Sequence, residues 1–477
     1  MTKNIRVRFA PSPTGLMHLG SVRTALFNYL FAKQKDGTFI LRIEDTDPER
    51  NFDPGAKKII HDMAWLNLAF EEGPEVGGPY QSYFQSERTA LYQERLDILE
   101  QQQRIYRCFC SAEELEKKRK RQIALKQPPR YDRACLQLSQ KTIEDFLAEK
   151  KPFIWRFKVD NSQKISIQDI ARGSIEFDMH HFSDFPLTRS TGSFTFMFAN
   201  AIDDMVMKIS HVFRGEDHIS NTPCQAALYE AFNMPLPIFW HMPIMCNIEG
   251  KKLSKRDFGF SLQDLREAGF LPEAINNYLA IIGSSYEQEI MDMPTLIKTI
   301  DFSAIHSTSS IKYDVEKLKW VNHQWLMHYP AEKLAQRTIP ILINAYPEAK
   351  NLTLDQIATL IKAVQPELKT LNDIPGLLRF YFKAPSVEHK ELLAYASESE
   401  VKAIVNLFEN NLDKTDDANL FFDSIKNDCK QKNIPLKATW QIFRVIMTGS
   451  PSGPGIKELL VLLGAQETQN RFKALKK

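Results

Sequence analysis

A strand, a proline-broken turn and a helix near the N-terminus constrain this chain more than any other feature. Residues 5–10 read as a short buried strand, and Pro11-Ser12-Pro13-Thr14-Gly15 breaks it, because proline fixes φ and has no amide to give a ladder. Val22, Ala25, Leu26, Tyr29, Leu30 and Lys33 then recur at helical spacing. This predicts a helix over about residues 20–35, with Gly37 at its stop. Residues 38–43 predict the next strand. Strand, helix and strand over this distance form a βαβ unit, which implies a parallel sheet and a right-handed crossover. In such sheets ligands bind outside the carboxyl ends of the strands.

The rest of the chain extends this start. Residues 106–183 change character: they hold paired cysteines, a basic run at 117–121 and an alternating stretch at 153–159, and read as an insertion with its own small sheet. Strand and helix signals return over 184–250. Beyond about residue 262 the periodicity is helical, with apolar residues at three-four spacing over 334–345, 354–364 and 397–408. The expected division is 1–105 with 184–261 as a split α/β domain, 106–183 as its insertion, 262–329 as a helical domain and 330–477 as an all-helical one. Length alone suggests roughly three domains for 477 residues, and the insertion makes a fourth part. Net charge is only +2, so any polyanion site must be local. Six cysteines are too few and too unevenly placed for a disulfide framework. With no apolar signal core and no long apolar run, the chain reads as a reduced, cytoplasmic, non-membrane protein.

Two segments carry chemistry. His18-Leu19-Gly20-Ser21 follows the broken turn and opens the first helix. The helix N-terminus favours a phosphate, Gly20 permits close backbone approach, and His18 offers a donor. Alone, it reads as a tight βα turn with a surface histidine. Lys252-Leu253-Ser254-Lys255-Arg256 follows Gly250. Alone, it reads as a solvated loop; closed over a ligand, its two lysines neutralise a triphosphate.

Together, in this order and βα context, the segments resemble the two marks of class I aminoacyl-tRNA synthetases. Arg8-Phe9-Ala10-Pro11-Ser12-Pro13-Thr14-Gly15, Arg23-Thr24-Ala25-Leu26, Arg42-Ile43-Glu44-Asp45-Thr46-Asp47, Gln85-Ser86-Glu87-Arg88, Asp203-Asp204 and Phe213-Arg214-Gly215-Glu216-Asp217-His218 resemble glutamyl-tRNA synthetases of bacterial type. So does Thr448-Gly449, followed by Gly453-Pro454-Gly455. The resemblance spans nearly the whole chain. It implies a Rossmann-type parallel-sheet catalytic domain with an α+β insertion that binds the tRNA acceptor end, a stem-contacting domain and an all-helical anticodon-binding domain.

The implied activity is glutamate–tRNA ligation: ATP activates L-glutamate to glutamyl-adenylate, and the 2′-hydroxyl of the terminal tRNA ribose takes the acyl group. The implied catalytic residues are His18, Lys252 and Lys255. ATP is assigned to His18, Gly20, Ser21, the backbone of Ile244 and Met245, Lys252, Ser254 and Lys255, with Mg²⁺ carried by the phosphates. Glutamate is assigned to Arg8, Ala10, Ser12, Glu44, Phe196, Asn200 and Arg214. Arg8 suits a carboxylate, Glu44 the ammonium and Arg214 the side-chain carboxylate. Taken singly, Arg8 and Glu44 read first as parts of a structural salt bridge; their place beside the two motifs reverses that reading. One departure stands out: Phe194-Thr195-Phe196 replaces the family's Pro-Thr-Tyr, so Phe196 keeps the ring and loses the hydroxyl.

The implied partners of this monomer are tRNA(Glu), with tRNA(Gln) left open, ATP and glutamate. The basic run at 117–121 reads either as a contact to the tRNA backbone or as a solvated helix face. A shortened relative that glutamylates a tRNA base lacks the anticodon half, and a catalytically inactive tRNA-binding regulator is the alternative from another class. Cys108, Cys110 and Cys135 cluster in the insertion and resemble a structural Zn²⁺ site of some glutamyl enzymes. Gln137 stands where the family's histidine would be, which leaves Tyr131 as the fourth ligand, or three thiols without metal.

Overall fold

The computed structural model describes residues 4–53, 55–254, 256–284, 286–302, 304–305 and 310–475. The chain divides into two units, Met1–Leu265 with Ile275–Val315, and Arg266–Ala274 with Glu316–Lys477.

In the first unit, β1 (Arg6–Phe9) leads through α1 (Leu19–Gln34) to β2 (Thr38–Leu41). β1 and β2 pair in parallel, with Arg8 opposite Ile40, as the βαβ reading requires. Helix α1 buries Leu19, Val22, Ala25, Leu26 and Leu30 completely. Gly37 has a reason beyond helix termination, because a Cβ there would meet the Ile5 carbonyl oxygen at 2.7 Å.

The chain continues through α2 (Lys57–Trp65) and α3 (Thr89–Gln101) into β3 (Ile105–Cys108), α4 (Ala112–Ala124), α5 (Gln140–Ala148), β4 (Ile154–Phe157), β5 (Lys164–Asp169), β6 (Gly173–Asp178) and β7 (Phe185–Pro186). Then follow α6 (Phe196–Val206), β8 (His211–Gly215), α7 (Thr222–Ala231), β9 (Ile238–Met242) and β10 (Ile244–Cys246). β3, β4 and β7 form a small antiparallel sheet. The order β6-β5-β9-β8 forms a larger one, parallel where β5 meets β9 and β9 meets β8. β8 begins beside β1, and the Ser210 amide donates to the Arg6 carbonyl at 3.0 Å. Trp240 of β9 is fully buried against Phe27, Phe213 and Phe302, which anchors α1 over this sheet.

The almost wholly helical reading beyond residue 262 meets one short strand. β11 (Ser310–Lys312) pairs in parallel with β10, in register Met245 with Ile311. Only Ile311 of its three residues is buried, and one apolar position is too short a pattern to register as period two.

The second unit is helical. Its helices include Ala331–Ala345, Leu354–Val364, Glu398–Glu409, Ala418–Gln431, Leu436–Thr448 and Ile456–Lys473. Thr353 with Gln356, and Ser397 with Glu400, form capping boxes that fix two helix starts. Phe408, Phe421, Phe443 and Phe472 meet in its core. Among the described residues, no helix of either unit is long and apolar enough to cross a membrane.

Candidate active site

The carboxyl ends of β1, β2, β8 and β9 and the N-termini of α1 and α6 surround a cavity of about 580 Å³. Of the predicted site residues, Arg8, Ala10, Ser12, His18, Gly20, Ser21, Glu44, Phe196, Asn200, Arg214, Ile244, Met245 and Lys252 line it. Lys255 lies outside the described residues. Ser254 is not among the lining residues: its amide and hydroxyl both donate to Asp257, at 2.8 and 2.9 Å. In this structure the Ser254 hydroxyl proton is therefore turned toward Asp257. A Ser-x-x-Asp sequence closes its own local turn, and that competes with a ligand.

At one end of the cavity the fold gathers His18, the α1 N-terminus and Lys252. His18 is the N-cap of α1, and its Nδ1 accepts from the Ser21 amide at 3.1 Å. In a neutral ring this leaves the proton on Nε2, 3.1 Å from the Ser21 hydroxyl. Crowding of the ring by surrounding protein, and next the Lys252 charge, lower the His18 pKa, so near pH 7 it is a neutral donor. A Cβ at Gly20 would approach the His18 ring to 3.1 Å, so this glycine makes room for the histidine. Lys252 reaches the same end, exposed and 3.5 Å from Asp217. Such a pair is weak, and the ammonium remains available to an anion.

The other end is a charged pocket with a buried foundation. Arg8 donates through Nε and Nη2 to Asp204 at 3.0 and 3.2 Å, and through Nη1 to the Phe213 carbonyl at 3.4 Å. The predicted bidentate grip of Arg8 on a ligand is thus largely taken by Asp204, and Arg8 meets a ligand with its remaining edge. Arg42 donates to Asp204 at 2.7 Å and to Glu44 at 3.2 Å. Asp203 accepts from Arg88 (2.7 Å), Gln85 (2.8 Å) and the Tyr92 hydroxyl (2.8 Å). Both aspartates are buried.

Glu44 accepts from Asn200 at 2.6 Å, and burial raises its pKa against the opposing pull of Arg42 and Asn200. Its second oxygen can accept an ammonium. Asn200 in turn accepts from Gln225 at 2.9 Å, and Gln225 accepts from Arg214 at 2.6 Å. Arg214 is 6% exposed and donates also to the Thr222 hydroxyl at 2.7 Å. Among the described residues no carboxylate forms an ion pair with it. Burial, and after it the Arg8 charge, pull its pKa down to about 10. It stays cationic near pH 7 with no carboxylate in direct contact, Asp204 and Glu44 opposing the shift only from a distance, and such a buried cation is costly unless a ligand brings the anion.

Sequence reading missed Asp217, His218 and Gln225 as parts of this site. His218 stands 5.4 Å from the Phe196 ring, and burial together with Arg214 pulls its pKa down to about 4. Its Nδ1 accepts from Asn221 at 3.3 Å, so the neutral ring carries its proton on Nε2. The resemblance implies a hydroxyl at position 196, and restoring it with Phe196→Tyr is expected to lower the KM for the implied amino-acid substrate about fivefold, the equivalent of about 1 kcal/mol. The ATP KM should not move. Amino-acid-dependent ATP–pyrophosphate exchange measures both.

In residues 106–183 the three sulfurs of Cys108, Cys110 and Cys135 lie within 4.8 Å of one another. The Tyr131 hydroxyl is 3.3 Å from Cys108 Sγ and 3.9 Å from Cys110 Sγ. A hydrogen bond from Cys135 is the largest influence that pulls the Cys108 thiol down.

The family model for class I tRNA synthetases (E and Q), catalytic domain, matches residues 4–320, and one for an anticodon binding domain matches residues 333–476. Glutamate–tRNA ligase of Bacillus velezensis is 36% identical over 484 residues, covering 100% of both chains. That of Bacillus subtilis is 36% identical over 483 residues, covering 99% of this chain and 100% of its own. Among solved structures, a glutamate tRNA ligase from Elizabethkingia meningosepticum in complex with its amino acid aligns with a TM-score of 0.87 at 32% identity, covering 99% of each chain.

Proposed function

The chain belongs to the glutamate–tRNA ligases of the class I tRNA synthetases, and from that premise we propose how its own residues carry the reaction. The buried Arg214 supports this reading most: it suits the side-chain carboxylate of glutamate, and a neutral glutamine there would leave the cation unpaired. Glu44, held by Asn200 and Arg42, takes the ammonium. The free edge of Arg8 orients the α-carboxylate.

That carboxylate attacks the ATP α-phosphate, forming glutamyl-adenylate and releasing pyrophosphate. The tRNA 2′-hydroxyl then attacks the activated carbonyl, and AMP leaves. No protein nucleophile takes part, so catalysis rests on positioning and charge. His18 Nε2–H, the α1 N-terminus, Lys252 and Lys255 stabilise the phosphates, the backbone of Ile244 and Met245 takes the adenine, and Mg²⁺ accompanies ATP. Residues 106–183 bind the acceptor end, 262–329 contact the stem and 330–477 read anticodon bases, all within a cytoplasmic monomer.

ATP–pyrophosphate exchange with and without tRNA tests this reading. Glutamate-dependent exchange in the presence of tRNA is expected, and its absence in folded protein would favour the inactive regulatory paralogue. Charging of pure tRNA(Glu) beside pure tRNA(Gln) then defines the tRNA range. We assign tRNA(Glu) as substrate, and charging of tRNA(Gln) to a comparable level would extend the function to both.

Cys108, Cys110, Cys135 and Tyr131 fit a structural Zn²⁺: three converging sulfurs and a phenolic oxygen form a four-donor set. The metal would tie β3 to the Tyr131–Cys135 turn, away from the adenylation pocket. Protein purified without chelator is expected to hold about one zinc per chain. Its removal should impair tRNA charging while ATP binding survives. Metal far below one equivalent, with all three thiols titratable, would overturn the assignment.

A further inference from the structure

Behind Arg214 lies a buried pair that the reaction as described does not use. Asp169 ends β5, the strand that joins residues 106–183 to the catalytic sheet, and it sits opposite Phe239 of β9. Its carboxylate is fully buried and receives four hydrogen bonds. Oδ1 accepts from the amides of Ala171 and Arg172, each at 3.0 Å. Oδ2 accepts from the amide of His241 at 3.0 Å and lies 2.8 Å from its Nδ1.

Three of those donors are backbone amides, so Asp169 serves only as an acceptor, and the His241 ring proton belongs on Nδ1. Burial keeps the His241 pKa below its usual value, and the Asp169 pKa is also lowered, its hydrogen bonds with His241 overcoming the cost of burial. The pair is therefore an imidazole donating to a carboxylate. His241 Nε2 is then an acceptor, and it faces the Thr222 hydroxyl at 2.9 Å and Arg214 Nε at 3.4 Å.

We propose that Asp169 and His241 are positioning residues for Arg214, presenting an acceptor behind its guanidinium and fixing the plane in which it meets the side-chain carboxylate of glutamate. The groups that hold Arg214 are a Gln225 carbonyl oxygen, a Thr222 hydroxyl and a His241 ring nitrogen. All three are neutral. A carboxylate placed directly on Arg214 would compete with the substrate for the same charge. Set one ring further back, the carboxylate of Asp169 orients the arginine through His241 without neutralising it, in the manner of the outer partners that fix a liganding histidine.

The inference rests on Arg214 as the reader of the glutamate side chain, so the test includes Arg214→Gln. Glutamate and ATP KM values come from ATP–pyrophosphate exchange by the full chain with tRNA, and thermal unfolding shows that each variant is folded. His241→Leu is expected to raise the glutamate KM about tenfold or more while leaving the ATP KM within about twofold. His241→Gln, whose Oε1 reaches toward the place of Nε2, should recover most of that loss. Asp169→Asn should reproduce the defect, because its amide either opposes the Ala171 and Arg172 amides or forces the ring proton onto Nε2, facing Arg214 Nε–H.

If folded His241→Leu keeps its glutamate KM, or loses ATP and glutamate affinity alike, or if His241→Gln fares no better, the positioning role is wrong. If Arg214→Gln raises the glutamate KM and His241→Leu does not, only the positioning role falls. If Arg214→Gln itself leaves that KM unchanged, the reading of Arg214 falls and takes the positioning role with it.

Discussion

Arg214→Gln is expected to lower kcat/KM for glutamate by about two to four orders of magnitude, with the ATP KM unchanged. Breaking one side of a buried ion pair costs about 3–5 kcal/mol, and each 1.4 kcal/mol is a factor of ten. In the variant the glutamate carboxylate would enter a pocket whose remaining groups at that end are the neutral Gln225, Thr222 and His241. The penalty against glutamine, which in the wild type leaves Arg214 unpaired, disappears with the cation. The ratio of glutamate to glutamine use should therefore fall along with the rate. Stability should move the other way. The ligand-free protein bears the cost of a buried guanidinium, so the thermal midpoint of Arg214→Gln should equal or exceed that of the wild type, the usual relation at a site tuned for a ligand. ATP–pyrophosphate exchange with each amino acid, beside a melting curve, checks both halves. Equal losses for glutamate and glutamine would show that Arg214 does not discriminate between them.

The sequence made the His18 end of the pocket legible because its signals are local. The broken turn, His18 and the start of α1 are consecutive, and helix geometry alone brings them to the cavity. The charged end was legible in residue types but not in their partners. Arg8 and Asp204 are 196 positions apart, so no spacing rule announces that Asp204 occupies most of the Arg8 guanidinium. The segments containing Gln85, Arg88 and Asp203 were noticed only as resembling a family. The structure shows why they occur together: they bond one another beneath the pocket. Ser254 belongs to a recognisable motif, but the motif does not announce the local bond that its hydroxyl donates to Asp257. Asp169 and His241 were invisible for a third reason. One lies in the insertion and the other in a central strand, and only the pairing of β5 with β9 brings them together.

That buried foundation carries the second large effect, on the fold itself. Asp204→Asn is expected to destabilise the first unit by about 3–5 kcal/mol, a large share of the 5–15 kcal/mol that holds a typical domain together. Asp204 is 4% exposed and takes donors from two buried cations, Arg8 and Arg42. An asparagine keeps the volume, but its amide turns a donor toward guanidinium donors and leaves two positive charges short of one negative. Burial works against ionisation of Asp204, yet Arg8 and Arg42 prevail and hold its pKa below the usual value for an aspartate. The sign follows from that depression. The unfolded chain binds the proton first as pH falls, so the contribution of Asp204 is fully present above about pH 4 and is lost as pH drops through the lower folded value. The variant has no such contribution to lose, and its stability should fall less steeply below pH 4 than that of the wild type. Hydrogen exchange of the β1 and α6 amides reports on this region directly and avoids treating a two-unit chain as a single transition. If protection of those amides near pH 7 is the same in Asp204→Asn as in the wild type, the aspartate is not what neutralises Arg8 and Arg42.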